Sequence, residues 1–219
     1  MIAMAAGRGS VTVPERTRYA AVDVYYPASG GARAALVVAE GPRFDTLVED
    51  RVCWLPEVAE YRPGEFFARE LPAVSAVLGE PGELALVVID GYVDLDPDGR
   101  AGLGAHLHAQ IHVPVIGVAK TAFHTASHAI AVRRGAATRP LYVTAAGLPI
   151  EHAAALVSRM AGPYRLPDAL RRVDALSRAR QQPCPAPPAA DRAARAVTTP
   201  RTTHDPLTQR YDMQQRLPL

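Results

Sequence analysis

Five ionisable side chains in this sequence combine type and setting in a way that could do chemistry: Asp23, Glu70, Asp90, Lys120 and Asp174. Asp23 sits between Val22 and Val24, and Asp90 closes the apolar run "LALVVID". An ionised carboxylate in such surroundings is costly unless it is paired or binds a metal ion. Glu70 falls late in "FFARE", and Asp174 follows "RRV" in the last helical pattern. Lys120 ends "VIGVAK", where an ammonium could reach a phosphate or an attacking water. Hard oxygen ligands around a divalent ion, with a cation beside them, suit phosphodiester hydrolysis: water is activated and phosphate charge is neutralised. Each residue alone also has a plainer reading. Asp23 can face solvent, Glu70 can pair Arg62 or Arg69, Asp90 can open an Asp-Gly turn, and Asp174 can be a surface acid.

A second acidic motif competes for attention. Asp94, Asp96, Asp98 and Gly99 spell the opening of a calcium-binding EF-hand loop. That loop needs a bidentate acid at its twelfth position and a helix on each side. Counting from Asp94, the twelfth residue is Ala105, and the segment before is a β-branched apolar strand, so a solvated turn is expected instead. The histidines His106, His108, His112, His124 and His128 do not make a zinc site. His108 and His112 share helical spacing, but Pro114 follows and no third ligand has recognisable spacing. Cys53 and Cys184 are far apart and in no motif, which argues against a disulfide framework.

The elements that must position these groups can be read from hydrophobic period. The 219 residues, 48% hydrophobic and 21% charged, suit one domain with a full core and a tail. A net charge of +2 neither demands nor excludes a nucleic-acid partner. No stretch approaches the ~20 apolar residues of a membrane span, and the first residues lack a signal peptide's apolar run, so a cytoplasmic protein is expected. Residues 1–17 read as an arm, 18–180 as the catalytic domain and 181–219 as a disordered Pro-rich tail. Strands are expected at 18–26, 32–40 and 44–54, joined as an antiparallel meander. A helix over "FFARELPAVSAVL" precedes the buried strand "LALVVID", expected parallel to the first. Then come a short helix in "RAGLGAHLHAQI", a strand in "VPVIGVAK", strands in "HAIAVRRG" and "RPLYVTAA", and two helices opening at Pro149 and Pro167. The fold class is α/β: a mixed sheet, antiparallel meander followed by parallel strands, flanked by helices, as in the ribonuclease H-like architecture.

Several motifs, in order over roughly residues 19–176, make the chain resemble the endonuclease V family. "AAVDVYY" is similar to the family's opening strand, and "YRPGEFFARELP" to its Y-[IV]-P-G-x-[LF]-x-F-R-E-x-P signature. "VVIDGYVDLDPDGRAGLGAHL" corresponds to its V-D-G-x-G segment, "VPVIGVAKT" to its P-x-I-G-V-A-K strand, and "YRLPDALRRVDAL" to its last helix. The resemblance implies a ribonuclease H-like nuclease that uses Mg²⁺ or Mn²⁺. Such an enzyme acts on DNA or RNA carrying a deaminated base, deoxyinosine or inosine, and nicks one nucleotide beyond it on the 3′ side. It implies Asp23, Glu70, Asp90 and Asp174 as metal carboxylates and Lys120 as the cation near the scissile phosphate. It also implies substrate contacts from Tyr61, Arg62, Pro63, Gly64 and Gly91, with Tyr61 in a wedge beside the lesion. Gly64 and Gly91 would allow the close backbone approach that an extruded base requires.

The chain departs from the family pattern on the recognition side. Val93 replaces a Gly, Asp96 a His and Asp98 an Arg; Glu60 and Arg62 change the wedge; only "AFHTAS" remains of a longer loop. Val93 is expected to narrow the pocket, and the two acids to repel phosphates. Altered base specificity is therefore expected. Two other readings stay open: a non-catalytic nucleic-acid-binding relative, and a metal-dependent phosphohydrolase of small nucleotides.

Overall fold

The computed structural model describes residues 17–60 and 66–179. Three strands come first: β1 (Arg18–Tyr25), β2 (Ala32–Ala39) and β3 (Leu47–Leu55). Both pairings are antiparallel, so the expected meander is present. Helix α1 (Phe66–Leu78) carries the chain to β4 (Leu84–Asp90), and α2 (Leu103–Ile111) carries it on to β5 (Val115–Ala119). Strand β4 runs parallel to β1, and β5 parallel to β4. The last strands are β6 (Ile130–Val132) and β7 (Leu141–Ala146), followed by α3 (Ile150–Arg159) and α4 (Asp168–Arg178). They form one seven-stranded sheet in the order β3-β2-β1-β4-β5-β7-β6.

The mixed sheet is as expected, but its parallel part is confined to β1, β4 and β5. Strand β7 is antiparallel to both β5 and β6. The physical reason is in the connections. A parallel return needs a crossover, usually a helix, and none lies between β5 and β7. The expected arm and tail, apart from residue 17, lie outside the described residues, as does the wedge segment Tyr61, Arg62, Pro63 and Gly64. No helix among the described residues is long and apolar enough to cross a membrane.

Two cores sandwich the sheet. On one face Val22, Leu36, Val87 and Ile89 pack with Val74, Val77 and Leu78 of α1 and Leu107 of α2. On the other, Ala21, Val37, Val88 and Val118 pack with Val157 of α3 and Leu170 and Val173 of α4. This is the period-2 alternation of strands covered on both faces, which makes β4 and β5 continuously apolar. Pro72 lies inside α1 and removes one rung of its hydrogen-bond ladder. The turn bearing Glu70 is braced from outside, where Phe67 stacks on His106 of α2 with ring centroids 3.7 Å apart.

Register then places the reactive groups. Val22 pairs with Ile89, so Asp23 stands beside Asp90 on the neighbouring strand. Asp90 pairs with Val118, and Lys120 follows two residues on, toward the same face. Gly117 fixes how closely the loop after Asp90 approaches β5. A Cβ there would lie 2.6 Å from the Gly91 carbonyl oxygen, 2.7 Å from Thr144 Oγ1 and 2.9 Å from the Val93 amide nitrogen. All three neighbours are backbone or fully buried, so they give little. Gly117→Ala should therefore cost about 1–3 kcal/mol of stability. Urea denaturation checks this, and a change below about 0.5 kcal/mol, the range of unimportant surface changes, would show that the loop moves freely.

Candidate active site

Four elements bring the expected ionisable residues to one place. Asp23 comes from β1, Asp90 from the end of β4, Glu70 from α1 and Asp174 from α4, with Lys120 just past β5. Lys120 Nζ lies 2.9 Å from Asp90 Oδ2. Asp23 feels the charges of Asp90, Lys120 and Asp174, and Glu70 those of Asp23 and Asp90. Gly91, with φ +131°, continues directly from Asp90, and its amide donates to the Val118 carbonyl at 3.1 Å. A β-carbon would be strained in that backbone conformation.

The site is electrostatically loaded. Burial first, and then the neighbouring Asp90, pushes the Asp23 carboxyl from its ordinary 3.8 up to about 6; a hydrogen bond from Ser177 and the charge of Lys120 work the other way. Burial likewise drives Glu70 well above the usual carboxylate range, with Asp23 and Asp90 adding to the rise. For Lys120, burial opposes the charge, but Asp90, Asp23 and Asp174 outweigh it and the ammonium is held more firmly than usual.

Sequence reasoning missed the residues that brace these groups. Ser177 Oγ donates to Asp23 Oδ2 at 2.7 Å. Arg178 Nε lies 3.2 Å from Asp174 Oδ1, and its guanidinium sits 4.9 Å from the centroid of the Tyr25 ring. Both residues follow Asp174 at i+3 and i+4, so helical spacing alone was the signal that could have found them. Arg165 donates to the backbone carbonyls of Lys120 and Pro140, tying the strand end that presents the lysine. No sequence period marks that contact. The Tyr26 hydroxyl is buried near Glu70 without a hydrogen-bond partner among the described residues, and Arg69 covers its ring at 4.1 Å.

Among the described residues, no three Asp, Glu, His or Cys side chains stand as a ready metal cage. Asp90 is turned to Lys120, Asp174 to Arg178 and Asp23 to Ser177. The donor set nevertheless fits a hard divalent cation: all are oxygen ligands, and the raised proton affinities of Asp23 and Glu70 reflect burial and carboxylate repulsion that such a charge would relieve. Two of the histidines are engaged elsewhere. His106 stacks on Phe67, and His108 Nδ1 lies 2.8 Å from the Val113 carbonyl at the end of α2.

The acidic loop is a turn, as expected. Asp94 bridges Ala101, and Asp96 accepts from the Arg100 amide at 2.9 Å and faces its guanidinium. Val93 requires a correction. It does not line a pocket beside Asp90; it is fully buried in the α1/α2 core, seated where Gly104 of α2 has no side chain. A Cβ on Gly104 would come within 2.6 Å of Val93 Cγ2. The short loop after Lys120 is also built in. Phe123 and Ala126 pack on Tyr92, and the Tyr92 hydroxyl donates to the Thr121 carbonyl at 2.8 Å.

The family model described as Endonuclease V matches residues 9–136, more than half of the chain. The chain belongs to the endonuclease V family. An endonuclease V of Streptomyces avermitilis is 31% identical over 188 residues, covering 75% of this chain and 81% of that one. Its crystal structure superposes with a TM-score of 0.62 at 29% identity, over 75% of this chain and 82% of that one. Endonuclease V of Ciona intestinalis, solved with a 23-mer DNA containing an inosine followed by a ribo-adenosine, gives a TM-score of 0.64 at 18% identity. It covers 74% of this chain and 84% of that one, and shows the shared fold alone. Endonuclease V membership makes the chain a nuclease of ribonuclease H-like architecture. The family match ends at residue 136, so α4, with Asp174 and Ser177, lies beyond it.

The charge load has a measurable consequence. In the unfolded chain Asp23 titrates near 3.8, and in the fold near 6. Folding thus favours the protonated form, and stability falls as pH rises between those values. In chelator at pH 7, Asp23→Asn should therefore stabilise the protein by about 1–3 kcal/mol. The gain should vanish near pH 3.5. Thermal melts at both pH values test this; an Asp23→Asn protein less stable than wild type at pH 7 would contradict it.

Proposed function

We propose that this endonuclease V family member is a divalent-metal-dependent endonuclease that cuts a phosphodiester 3′ of a deaminated base, deoxyinosine or inosine, in DNA or RNA. One observation carries the reading: Asp23, Glu70 and Asp90 are electrostatically coupled in one site, with Lys120 paired to Asp90. In that site Asp23, Glu70, Asp90 and Asp174 would hold Mg²⁺ or Mn²⁺. When bound, such an ion supplies an activated water and neutralises phosphate charge. The chain's own part is to orient. Lys120 stays charged and stabilises negative charge developing on the scissile phosphate. Gly91 is proposed to let a base approach the backbone next to Asp90. Tyr61, Arg62, Pro63 and Gly64 are proposed to complete the substrate contact.

The case for altered specificity is narrower than the sequence suggests. Val93 faces the core, and Asp96 is matched by Arg100. Asp98, exposed at the turn, is the acid left to repel a phosphate backbone. Hypoxanthine therefore stays the proposed target base, with weakened affinity for the flanking strand.

End-labelled strands carrying hypoxanthine, uracil, xanthine, a mismatch or no lesion decide the matter. With Mg²⁺ or Mn²⁺, a cut one nucleotide 3′ of hypoxanthine is expected. Asp90→Ala should lower its rate by at least about a hundredfold. Cutting at another base would keep the nuclease and move its specificity. Binding without cutting by the wild type would instead mark a non-catalytic relative, and hydrolysis of free mononucleotides a small-molecule phosphohydrolase.

A further inference from the structure

We propose that Ser177 is a positioning residue for Asp23: its hydroxyl ties Oδ2 to helix α4 and so leaves Oδ1 as the oxygen offered to the ion. The proposal rests on the metal reading above and names the group that orients one of its ligands.

Ser177 is fully buried on the face of α4 that packs on the sheet, in line with Ala169, Leu170 and Val173. A hydroxyl in that row is costly unless it is bonded. Its oxygen lies 2.7 Å from Asp23 Oδ2 and 2.9 Å from the Asp174 carbonyl oxygen. One proton therefore serves two acceptors. The carbonyl one turn back would suffice to satisfy a serine that merely filled the helix face. The shorter contact goes to the carboxylate, and hydrogen bonds to charged acceptors are the stronger kind.

The serine is itself held. Its carbonyl oxygen accepts from Arg33 Nη1 at 3.2 Å, and the Arg33 guanidinium sits 5.6 Å from the centroid of the Trp54 ring. A continuous set of contacts thus runs from β3 through β2 to α4 and back to Asp23 on β1. Asp23 needs such a hold. Asp90 stands beside it on the next strand, and repulsion would swing an untethered carboxylate away from the place where an ion must sit. On the same helix Arg178 holds Asp174, so α4 orients two carboxylates, its own and that of Asp23 on β1, through residues three and four positions past Asp174.

The test compares Ser177→Thr with Ser177→Val, whose side chains have the same shape and differ by the hydroxyl. Mn²⁺ alone is titrated into the full chain, without nucleic acid, and free Mn²⁺ is followed by electron paramagnetic resonance. Ser177→Thr should bind Mn²⁺ at least about tenfold more tightly than Ser177→Val, the effect of one hydrogen bond to a charged group. Any packing strain is common to both variants, so their difference reads the hydroxyl even if both melt lower than wild type. Equal affinities overturn the proposal, as does absence of Mn²⁺ binding by the wild type. Wild-type nicking is measured in parallel. A Thr–Val difference in a protein that cuts nothing would leave the positioning role standing and remove the nuclease reading. Cutting without that difference would remove the positioning role alone.

Discussion

Two aspartates side by side on neighbouring parallel strands are the constraint around which this molecule is arranged. Strand spacing alone sets Asp23 and Asp90 about 4.8 Å apart along the sheet, and their register is fixed by the Val22–Ile89 pairing. Like charges so placed destabilise a sheet. The surroundings answer that repulsion from three directions. Lys120 meets Asp90 from the end of β5, Ser177 meets Asp23 from α4, and burial raises the proton affinity of Asp23 and of Glu70 behind them.

Holding the answering groups takes a second layer of structure. Lys120 is the first residue past β5, and the guanidinium of Arg165 grips its carbonyl together with that of Pro140. Arg165 in turn lies in a loop organised around Arg134. That arginine is buried and donates to the carbonyls of Met160, Ala161, Gly162, Tyr164 and Arg165. A buried guanidinium whose two terminal nitrogens both donate to backbone oxygens rigidifies a loop that has no ladder of its own. The fold thus places a buried arginine beside the α3/α4 core, in the segment that sets where the lysine can stand.

The loops beyond Asp90 and Lys120 follow a different logic. Tyr92, Phe123 and Ala126 form a small core between the loop after Asp90 and the loop after Lys120, and Thr125 donates its hydroxyl proton to the Leu95 carbonyl. These loops are short and mutually packed, so a shortened loop here is a tight one. Val93 belongs to the same economy. Its side chain fills space that Gly104 leaves open on α2, which makes the departure from glycine a packing change shared between two elements.

Much of this was legible before any coordinates. The order of strands and helices followed from hydrophobic period, because β4 and β5 are covered on both faces and must be apolar throughout. The acids at 23 and 90 stood out because charges amid β-branched residues need a reason, and the resemblance to the endonuclease V family supplied one. The family relationship holds. What sequence could not decide was direction in space. Whether β7 returns parallel or antiparallel depends on a connection, and whether Val93 faces a pocket or a core depends on what stands opposite, here a glycine on another helix. Arg134 and Arg165 carry no local signature, since their partners lie 26–31 and 25–45 residues away along the chain; Ser177 shows only its helical spacing from Asp174, and the carboxylate it meets lies 154 residues away. Sequence determines which residues are costly to bury; only the tertiary structure decides which distant atoms meet them, because a hydrogen bond is set by position in three dimensions.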